Sequence, residues 1–486
     1  MVAWLEWSPA AFARARAEKK PVLLSLVTAW SDECAAMDDT TYAAPDVVCL
    51  IEERFTAIRI DGDRRPDLNE RYNLGGWPTT VFLTGGGEVL TGGTYFDADS
   101  MIATLRQVAD AYRDRAEEID VRAAAVRSIR RERDSGAQPH LHLLPPASDP
   151  VVYFRSLLIA RFDPQNGGFG SAPKLPHPQA LLFALSMAGD GDAELAGLAA
   201  DTLHRIRALW DPSSGGFYRY ADEADWTRPG TGKTLEDNAA LLHVYVEAAL
   251  RLRNVEWLEQ AAAIVRWVRR EMADEARGGF FNALSAYARD STMYVDKNAM
   301  MTGAFIRAAA LFDDIWLRDF ALKSLEAVVV PSYTPGGGVA HLPGANADDG
   351  VRRLLTDQIH VASALIWAHA ATGQLPYSML AAEVLQFALR TMWDEGAGAL
   401  RDRATADDPL VPFELNCHAA CVLDRLGVLT GDPVYQARAR SILQSVAGNF
   451  RELDLFGAPY AVAVREILDR RPPAGLELSP VDWQLG

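Results

Sequence analysis

The sequence is short of cysteine, of histidine, of positive charge and of long apolar runs. Among its 486 residues there are 4 Cys and 9 His, and 48 Lys and Arg stand against 65 Asp and Glu, which gives a formal net charge of −17. So few cysteines exclude a disulfide-stapled scaffold and are typical of a reducing compartment. The negative charge disfavours nucleic acid as a partner, because such binding depends on clustered cations.

No apolar run approaches the roughly 20 residues that a helix needs to cross a bilayer, so no membrane association is predicted. The first residues also lack a basic stretch followed by an apolar one, which favours a cytoplasmic protein. What is present is an ordinary globular composition, with 49% hydrophobic and 23% charged residues. A chain of this length exceeds what one hydrophobic core usually organises, so we expect two domains.

The first 115 residues alternate strand and helix patterns. The predicted strands are Pro21–Leu26, Phe55–Ile60, a β-branched strand that ends at Leu83, and Glu88–Leu90. The predicted helices cover 9–19, 34–37, 45–54 and 100–112. The order βαβ followed by ββα is the thioredoxin plan, so we predict a thioredoxin-like domain over residues 1–115.

The position of the reactive thiols in such a domain is altered here. The motif after the first strand starts a helix, whose dipole favours a thiolate, but it reads Ser31-Asp-Glu-Cys34 instead of Cys-x-x-Cys. A serine cannot form a mixed disulfide, so dithiol redox activity is not predicted. Cys34 is either a buried remnant or a residual monothiol. Pro78, after Trp77, suits a cis peptide beside this motif, and Cys49 is predicted to lie in the core.

The remainder of the chain repeats about every sixty residues. Turns rich in Asp and Gly recur between helices, and each is followed by a polar cluster that opens an apolar helix. Equivalent polar residues are 60, 60, 60 and 59 positions apart, namely His177, Asp237, Lys297, Asp357 and Asn416. So steady a period indicates a structural unit. We predict an all-α (α/α)6 toroid over residues 116–486, made of five visible hairpins and a sixth that combines a helix over 116–133 with residues near the chain end.

In a toroid of this kind the starts of the inner helices meet around a central pocket, where paired ionisable groups can act as acid and base. The predicted catalytic residues are Asp237, Asp357, Glu414, His177 and His360. The predicted substrate-binding residues are Lys174, Lys233, Glu236, Asn238, Asp296, Lys297, Asn298, Asn416, Phe169, Phe217, Trp226 and Phe280. The alternative is that Asp and Asn at helix starts are ordinary N-caps. No metal and no cofactor are predicted.

The sequence resembles a known family, the thioredoxin-like proteins fused to a six-hairpin glycosidase-like toroid, which includes YyaL and the spermatogenesis-associated thioredoxin-like proteins. The stretches that carry the resemblance are 7–12, 20–25, 61–66, 75–83 (GGWPTTVFL), 92–96, 162–174 (FDPQNGGFGSAPK) and 237–239. The resemblance implies the fold more than the activity, because toroid relatives include glycosidases, lyases and sugar epimerases. Relatives carry Cys in place of Ser31 and His-Phe-Glu-Lys in place of Gly230–Lys233.

Two functions follow as hypotheses. In the first, the toroid binds a sugar or similar polar metabolite and hydrolyses or isomerises it, while the thioredoxin-like domain offers a surface to a protein partner. In the second, Cys34 forms a mixed disulfide with a partner and the toroid is non-catalytic. Ser31, Cys34 and Pro78 are then either remnants or the redox site.

Overall fold

The computed structural model describes residues 1–134, 149–286, 288–344, 353–404 and 409–469. These residues form two compact units: the first contains residues 1–134 together with 285, 286 and 288, and the second contains the other described residues between 149 and 469. Across the described residues, no helix combines the length and the apolar character needed to cross a membrane.

The first unit is a four-stranded mixed sheet with helices on both faces. Its elements are α1 (Pro9–Glu18), β1 (Val22–Val27), α2 (Asp32–Thr40), α3 (Pro45–Arg54), β2 (Thr56–Asp61), α4 (Pro66–Tyr72), β3 (Thr79–Leu83), β4 (Val89–Gly93) and α5 (Ala98–Asp134). The strand order is β2-β1-β3-β4, with β1 parallel to β2 and antiparallel to β3. The thioredoxin-like fold is confirmed, and only α4 was not predicted.

The sheet divides its core into two layers because successive strand residues point to opposite faces. Leu23 and Phe82 face a cluster with Val47 and Ile51 of α3. Leu24, Val81 and their neighbours face the other layer, which α1 and α4 cover. The prediction for Cys49 was wrong: Val47 and Ile51 supply the inward face of α3, and Cys49 lies exposed on the other side.

The second unit is a double ring of helices. The inner helices are α7 (Pro178–Gly189), α9 (Leu235–Leu252), α11 (Val295–Phe312), α13 (Leu355–Thr372), α15 (Phe413–Thr430) and α17 (Ala458–Ile467). The outer helices are α6 (Pro150–Arg161), α8 (Ala193–Ile206), α10 (Val255–Trp267), α12 (Ile315–Ser332), α14 (Leu375–Thr391) and α16 (Pro433–Val446). Two-residue strands pair in the connections. The strand β6 (Ala283–Leu284) lies between β5 (Lys233–Thr234) and β7 (Arg289–Asp290), β8 (Tyr333–Thr334) pairs with β9 (Gly338–Val339), and β10 (Trp393–Asp394) pairs with β11 (Ala399–Leu400).

Each inner helix packs on the next, and α17 packs on α7, so the inner ring closes with six members. This confirms the (α/α)6 toroid. The predicted sixth hairpin was wrong in one half, because α17 near the chain end pairs with α6 and not with a helix over 116–133. Residues 116–133 instead continue α5, whose backbone departs from helical geometry at Arg115. A domain boundary after residue 115 stays a prediction.

The sixty-residue period has a physical cause in a buried amide on each of four inner helices, α9, α11, α13 and α15. Asn298 accepts a hydrogen bond from the backbone N–H of Phe280 (2.7 Å) and donates to the Phe280 carbonyl (3.1 Å) and to Tyr294 (2.9 Å). The equivalent amides of the other repeats bind their own turns in the same way; they are Asn238, Gln358 and Asn416. We call these four residues the amide clamps. Each fixes the preceding turn to the start of an inner helix.

The amide clamps correct three predicted binding residues. Asn238, Asn298 and Asn416 are at most 1% exposed, and the oxygen and the nitrogen of each amide bind the backbone. A buried amide that is fully bonded has nothing left to offer a ligand. Their role is structural.

Candidate functional site

Two lysines predicted to bind substrate hold the turns instead. Lys174, fully buried, donates to the Asp163 carboxylate (2.8 Å) and to the Gly170 carbonyl (3.1 Å), and this contact holds the pKa of Asp163 well below its usual range. Lys233 donates to Asp211 (2.6 Å) and to two further groups of the 211–215 turn. Both lysines therefore act on their own loops.

The four aromatic residues predicted to stack on a sugar are core residues. Phe169, Phe217 and Phe280 are at most 1% exposed, and Trp226 is 2% exposed. Phe217, for example, stacks on Tyr245 with ring centroids 5.7 Å apart. The prediction that they contact a ligand was wrong, because the three Gly-Gly-Phe turns and the connection that contains Trp226 bury these aromatic rings in the core.

The first turns of α9 and α11 place charged groups side by side. Lys297 lies 3.8 Å from Glu236 and 3.1 Å from the Asn282 oxygen, while Asp237 lies 3.5 Å from Arg219. The Glu236 side chain keeps 48% of its accessibility, yet burial, with the neighbouring charge of Asp237, raises its pKa. A group that solvent reaches but protein surrounds lies in a concave space and not on an outer surface.

A buried cluster joins α11 to α13. The Asp357 carboxylate accepts from the backbone N–H of Asp296 (3.2 Å) and lies 2.9 Å from His341 Nδ1; Thr356 donates to Asp296 (3.0 Å). Asp357 and His341 have fully buried side chains, while Asp296 keeps 7% exposure. Desolvation raises the pKa of Asp357 to about 6. Because it is enclosed, Asp357 cannot touch a substrate and instead supports Asp296.

Three imidazoles line the ring one to two turns deeper. The rings of His360 on α13 and His418 on α15 are 4.8 Å apart, and His243 on α9 feels the charge of Arg425 on α15. Since α9 and α15 are not neighbours in the ring, this interaction runs across its interior. Burial lowers the pKa of all three imidazoles, and all three are only partly accessible.

A layer of paired charges lies below the imidazoles. Glu247 of α9 pairs with Arg307 of α11, and Arg425 of α15 binds Glu466 of α17 through two hydrogen bonds of 2.6 and 2.8 Å. Both guanidinium groups lie over the ring of Trp367, at 4.6 and 5.9 Å from its centroid. This charged layer is almost fully buried and links four inner helices.

Two predicted catalytic residues lie apart from these groups. His177, in the left-handed conformation before α7, packs against Phe456 (ring centroids 5.4 Å apart), and burial lowers its pKa to about 4. Glu414 is exposed at the start of α15. The structure thus brings together Glu236, Asp237, Asp296, Lys297 and, deeper, His360.

In the first unit, the altered motif has become a helix cap. The Ser31 hydroxyl accepts from the Cys34 backbone N–H (3.2 Å) and donates to Glu33 (3.1 Å). Cys34 is 5% exposed, and burial raises the pKa of its thiol. The Trp77–Pro78 peptide is cis, as predicted. An enclosed thiol with a raised pKa is a poor nucleophile.

Sequence reasoning missed His341 and His243, the fourth amide clamp and the members of the charged layer. A signal was available for most of them: Glu247, Arg307, Trp367 and Arg425 are spaced 60, 60 and 58 residues apart, like the amide clamps. His341 carries no such signal, because it lies in a connection whose length differs between repeats.

The fold and the polar ring interior define a class: a thioredoxin-like domain joined to an (α/α)6 toroid of the kind found in sugar epimerases and glycosidases. Among solved structures, the toroid is similar to cellobiose 2-epimerase from Spirochaeta thermophila (TM-score 0.54, 15% identity, 66% of this chain and 93% of that one). It is also similar to a D-mannose isomerase (TM-score 0.54, 15% identity, 61% of this chain and 85% of that one). A GH76 α-mannanase from Bacteroides thetaiotaomicron is similar too (TM-score 0.53, 9% identity, 66% of this chain and 95% of that one). At these identities the likeness shows the fold alone.

Sequence comparisons identify proteins that this chain resembles. Residues 1–130 match the family model described as Thioredox_DsbH, protein of unknown function, DUF255. Spermatogenesis-associated protein 20 of Rattus norvegicus is 27% identical over 307 residues, which is 59% of this chain and 39% of that protein. An uncharacterized protein of Caenorhabditis elegans, B0495.5, is 27% identical over 266 residues, 50% and 35% of the two chains. These matches confirm the predicted resemblance, and they span less than half the length of the curated relatives.

Proposed function

We propose that the toroid binds a sugar or a similar polyhydroxylated metabolite inside its inner ring and performs acid–base chemistry on it, hydrolysing or isomerising it. The observation that carries this proposal is the pair of partly accessible imidazoles on neighbouring inner helices, His360 and His418, whose rings lie 4.8 Å apart. Convergent ionisable groups in a concave space are the usual setting of acid–base catalysis.

The proposed roles follow from accessibility and charge. His360 and His418, whose pKa values are lowered, are neutral at pH 7, so each imidazole can accept a proton at one nitrogen and donate at the other. Glu236, with a raised pKa, is suited to donate a proton. Asp237, Asp296 and Lys297 would bind hydroxyl groups. Asp357 acts only through Asp296, and His177 and Glu414 have no part in this proposal.

Turnover in D2O tests the proposal. The chain is incubated with mannose, cellobiose and mannobiose, and proton NMR follows exchange at the carbon next to the carbonyl, which reports isomerisation, and new anomeric signals, which report hydrolysis. His360→Gln and His418→Gln should each reduce turnover by about 100-fold or more. His204→Gln on the outer helix α8, where the side chain is 48% exposed, should leave it unchanged. The proposal is overturned for these sugars if the chain neither binds nor turns over any of them.

A cytoplasmic location and a protein partner at the thioredoxin-like domain remain predictions. The sugar-processing structural neighbours favour a small-molecule ligand over a macromolecular one.

A further inference from the structure

The cluster between α11 and α13 buries two carboxylates, Asp296 and Asp357, beside one imidazole, His341. Asp296, His341 and Asp357 each offer one ligand atom, and these atoms lie within 4.8 Å of one another. All three residues are at most 5% exposed. Within the part of the chain that the structure describes, no Lys or Arg forms an ion pair with either carboxylate. Burying carboxylates without a compensating cation costs several kcal/mol each.

One oxygen of this cluster is unused. Asp357 Oδ1 accepts from the Asp296 backbone and contacts His341, whereas the buried Asp357 Oδ2 has no hydrogen-bond partner among the residues that the structure describes. A buried carboxylate oxygen without a donor is uncommon in folded proteins. It is a vacant electron-pair donor next to an imidazole and a second carboxylate.

From this geometry we propose that Asp296, His341 and Asp357 bind a divalent metal ion. Two carboxylates and one imidazole are a donor set for a borderline cation such as Mn²⁺ or Zn²⁺. On binding, an imidazolium His341 loses its Nδ1 proton to solvent and keeps its Nε2 proton, so the lone pair of Nδ1 goes to the metal. His341 Nδ1 lies 2.9 Å from Asp357 Oδ1 and 3.9 Å from Asp296 Oδ1, separations that two ligands of one ion can adopt.

The ion would face the ring interior on one side. Asp296 is the member of the cluster that keeps some accessibility, and its charge acts on both Glu236 and His360. A metal held there would lie beside Asp296, the member of the cluster that keeps some accessibility. The metal site nevertheless does not depend on the sugar proposal, because it can be detected without any substrate.

The test is metal content and metal-linked stability of the full chain. Metal-depleted protein is titrated with Mn²⁺ and with Zn²⁺ by calorimetry, and after dialysis its metal is counted by mass spectrometry. We expect one ion per chain, proton release on binding and a higher Tm. His341→Gln and Asp357→Asn should weaken binding by about 100-fold or more. Asp237→Asn, a matched first-turn carboxylate outside the cluster, should bind as the unaltered chain does.

The proposal is overturned if neither ion binds stoichiometrically, or if the two variants bind as tightly as the unaltered chain. Should a variant fail to fold, Co²⁺ added to the unaltered chain decides: visible d–d bands together with a paramagnetically shifted imidazole signal support the site, and their absence overturns it. Loss of sugar turnover with metal binding intact would count against the proposed function only.

Discussion

The two units place polar residues at helix starts in the same way but use them differently. In the thioredoxin-like unit, Ser31 bonds to the backbone of its own helix, beside a thiol that is enclosed. In the toroid, Asp296 and Glu236 make contacts with side chains or backbone of neighbouring inner helices and keep a path to the ring interior. A polar residue at a helix start is therefore not by itself a binding site. It can bind a ligand only if its polar atoms are not already hydrogen-bonded to the backbone of its own helix.

The same contrast exists within the toroid. On the four inner helices that carry an amide clamp, a charged residue of the first turn lies within two positions of it. These charged residues differ in accessibility: the Glu236 side chain keeps 48% of its exposure, whereas Asp357 is fully buried. Because the helix rotates by about 100° per residue, Asn298 faces its turn while Asp296 faces α13. Substitutions at these neighbouring positions should separate stability from binding.

The largest effect is expected from the charged layer. Arg307→Ala leaves Glu247 buried without its main partner, which should cost about 3–5 kcal/mol and lower the Tm of the toroid strongly in scanning calorimetry. Arg251→Ala removes a second, 27% exposed partner of the same glutamate, 3.3 Å away, and should cost less than about 1 kcal/mol. Equal effects of the two variants would show that the layer is not electrostatically coupled.

Loss of an amide clamp should come next. Asn298→Ala leaves the N–H and C=O of Phe280 unpaired in the core, and each unpaired group costs about 1–3 kcal/mol. Asn254→Ala is the control, because Asn254 only caps the exposed start of α10 through Glu256 (2.9 Å) and should cost about 1 kcal/mol. The Tm values give the comparison. If Asn298→Ala also abolished sugar binding at full stability, the structural role assigned to Asn298 would be wrong.

The repeats on which these two predictions rest could be recognised in the sequence, whereas the contacts of individual side chains could not. The repeat, its hairpins and the thioredoxin order follow from local patterns of apolar residues and glycine turns, so they were predictable. The direction of each polar side chain was not, because Asn238 and Asp237 are adjacent in sequence and only their helix rotation separates a clamp from a pocket residue. The direction of the aromatic side chains could not be predicted either. Phe217, for example, follows a glycine pair, whose flexible backbone allows the ring to point inward as easily as outward.

The burial of His177 is expected to make the protein less stable in acid. His177 has a folded pKa of about 4, lowered by burial and by Lys174 and opposed by Asp454, against about 6.5 in the unfolded chain. The unfolded chain then binds the extra proton, so the stabilising contribution is present above pH 6.5 and is lost as the pH falls toward 4. The Tm of each protein is measured between pH 8 and pH 4 and expressed relative to its own value at pH 8. The fall in Tm should be smaller for His177→Gln than for the unaltered chain. An identical decline would mean that other groups cause it.

Thiol labelling probes the closed motif in the first unit directly. Cys49 is exposed, whereas Cys34, Cys417 and Cys421 are at most 5% exposed. Native protein should therefore show one fast thiol toward a maleimide, and Cys49→Ser should remove it. The other three should react only after unfolding. Fast labelling of Cys34 in the Cys49→Ser variant would instead favour the redox-linked function.

The smallest effect is expected at Ser31 itself. If its hydroxyl is only a helix cap, Ser31→Ala should cost about 1 kcal/mol, as should Ser8→Ala, because Ser8 caps α1 through Ala11 (3.3 Å). The nearby Ser31 side chain also lowers the pKa of the Cys34 thiol, opposing the effect of burial. Removing it should raise that pKa further and slow labelling of Cys34 in partly unfolded protein, which Ser8→Ala should not do. A Ser31→Ala chain that is destabilised far more than Ser8→Ala would show that this position still serves something beyond the helix it begins.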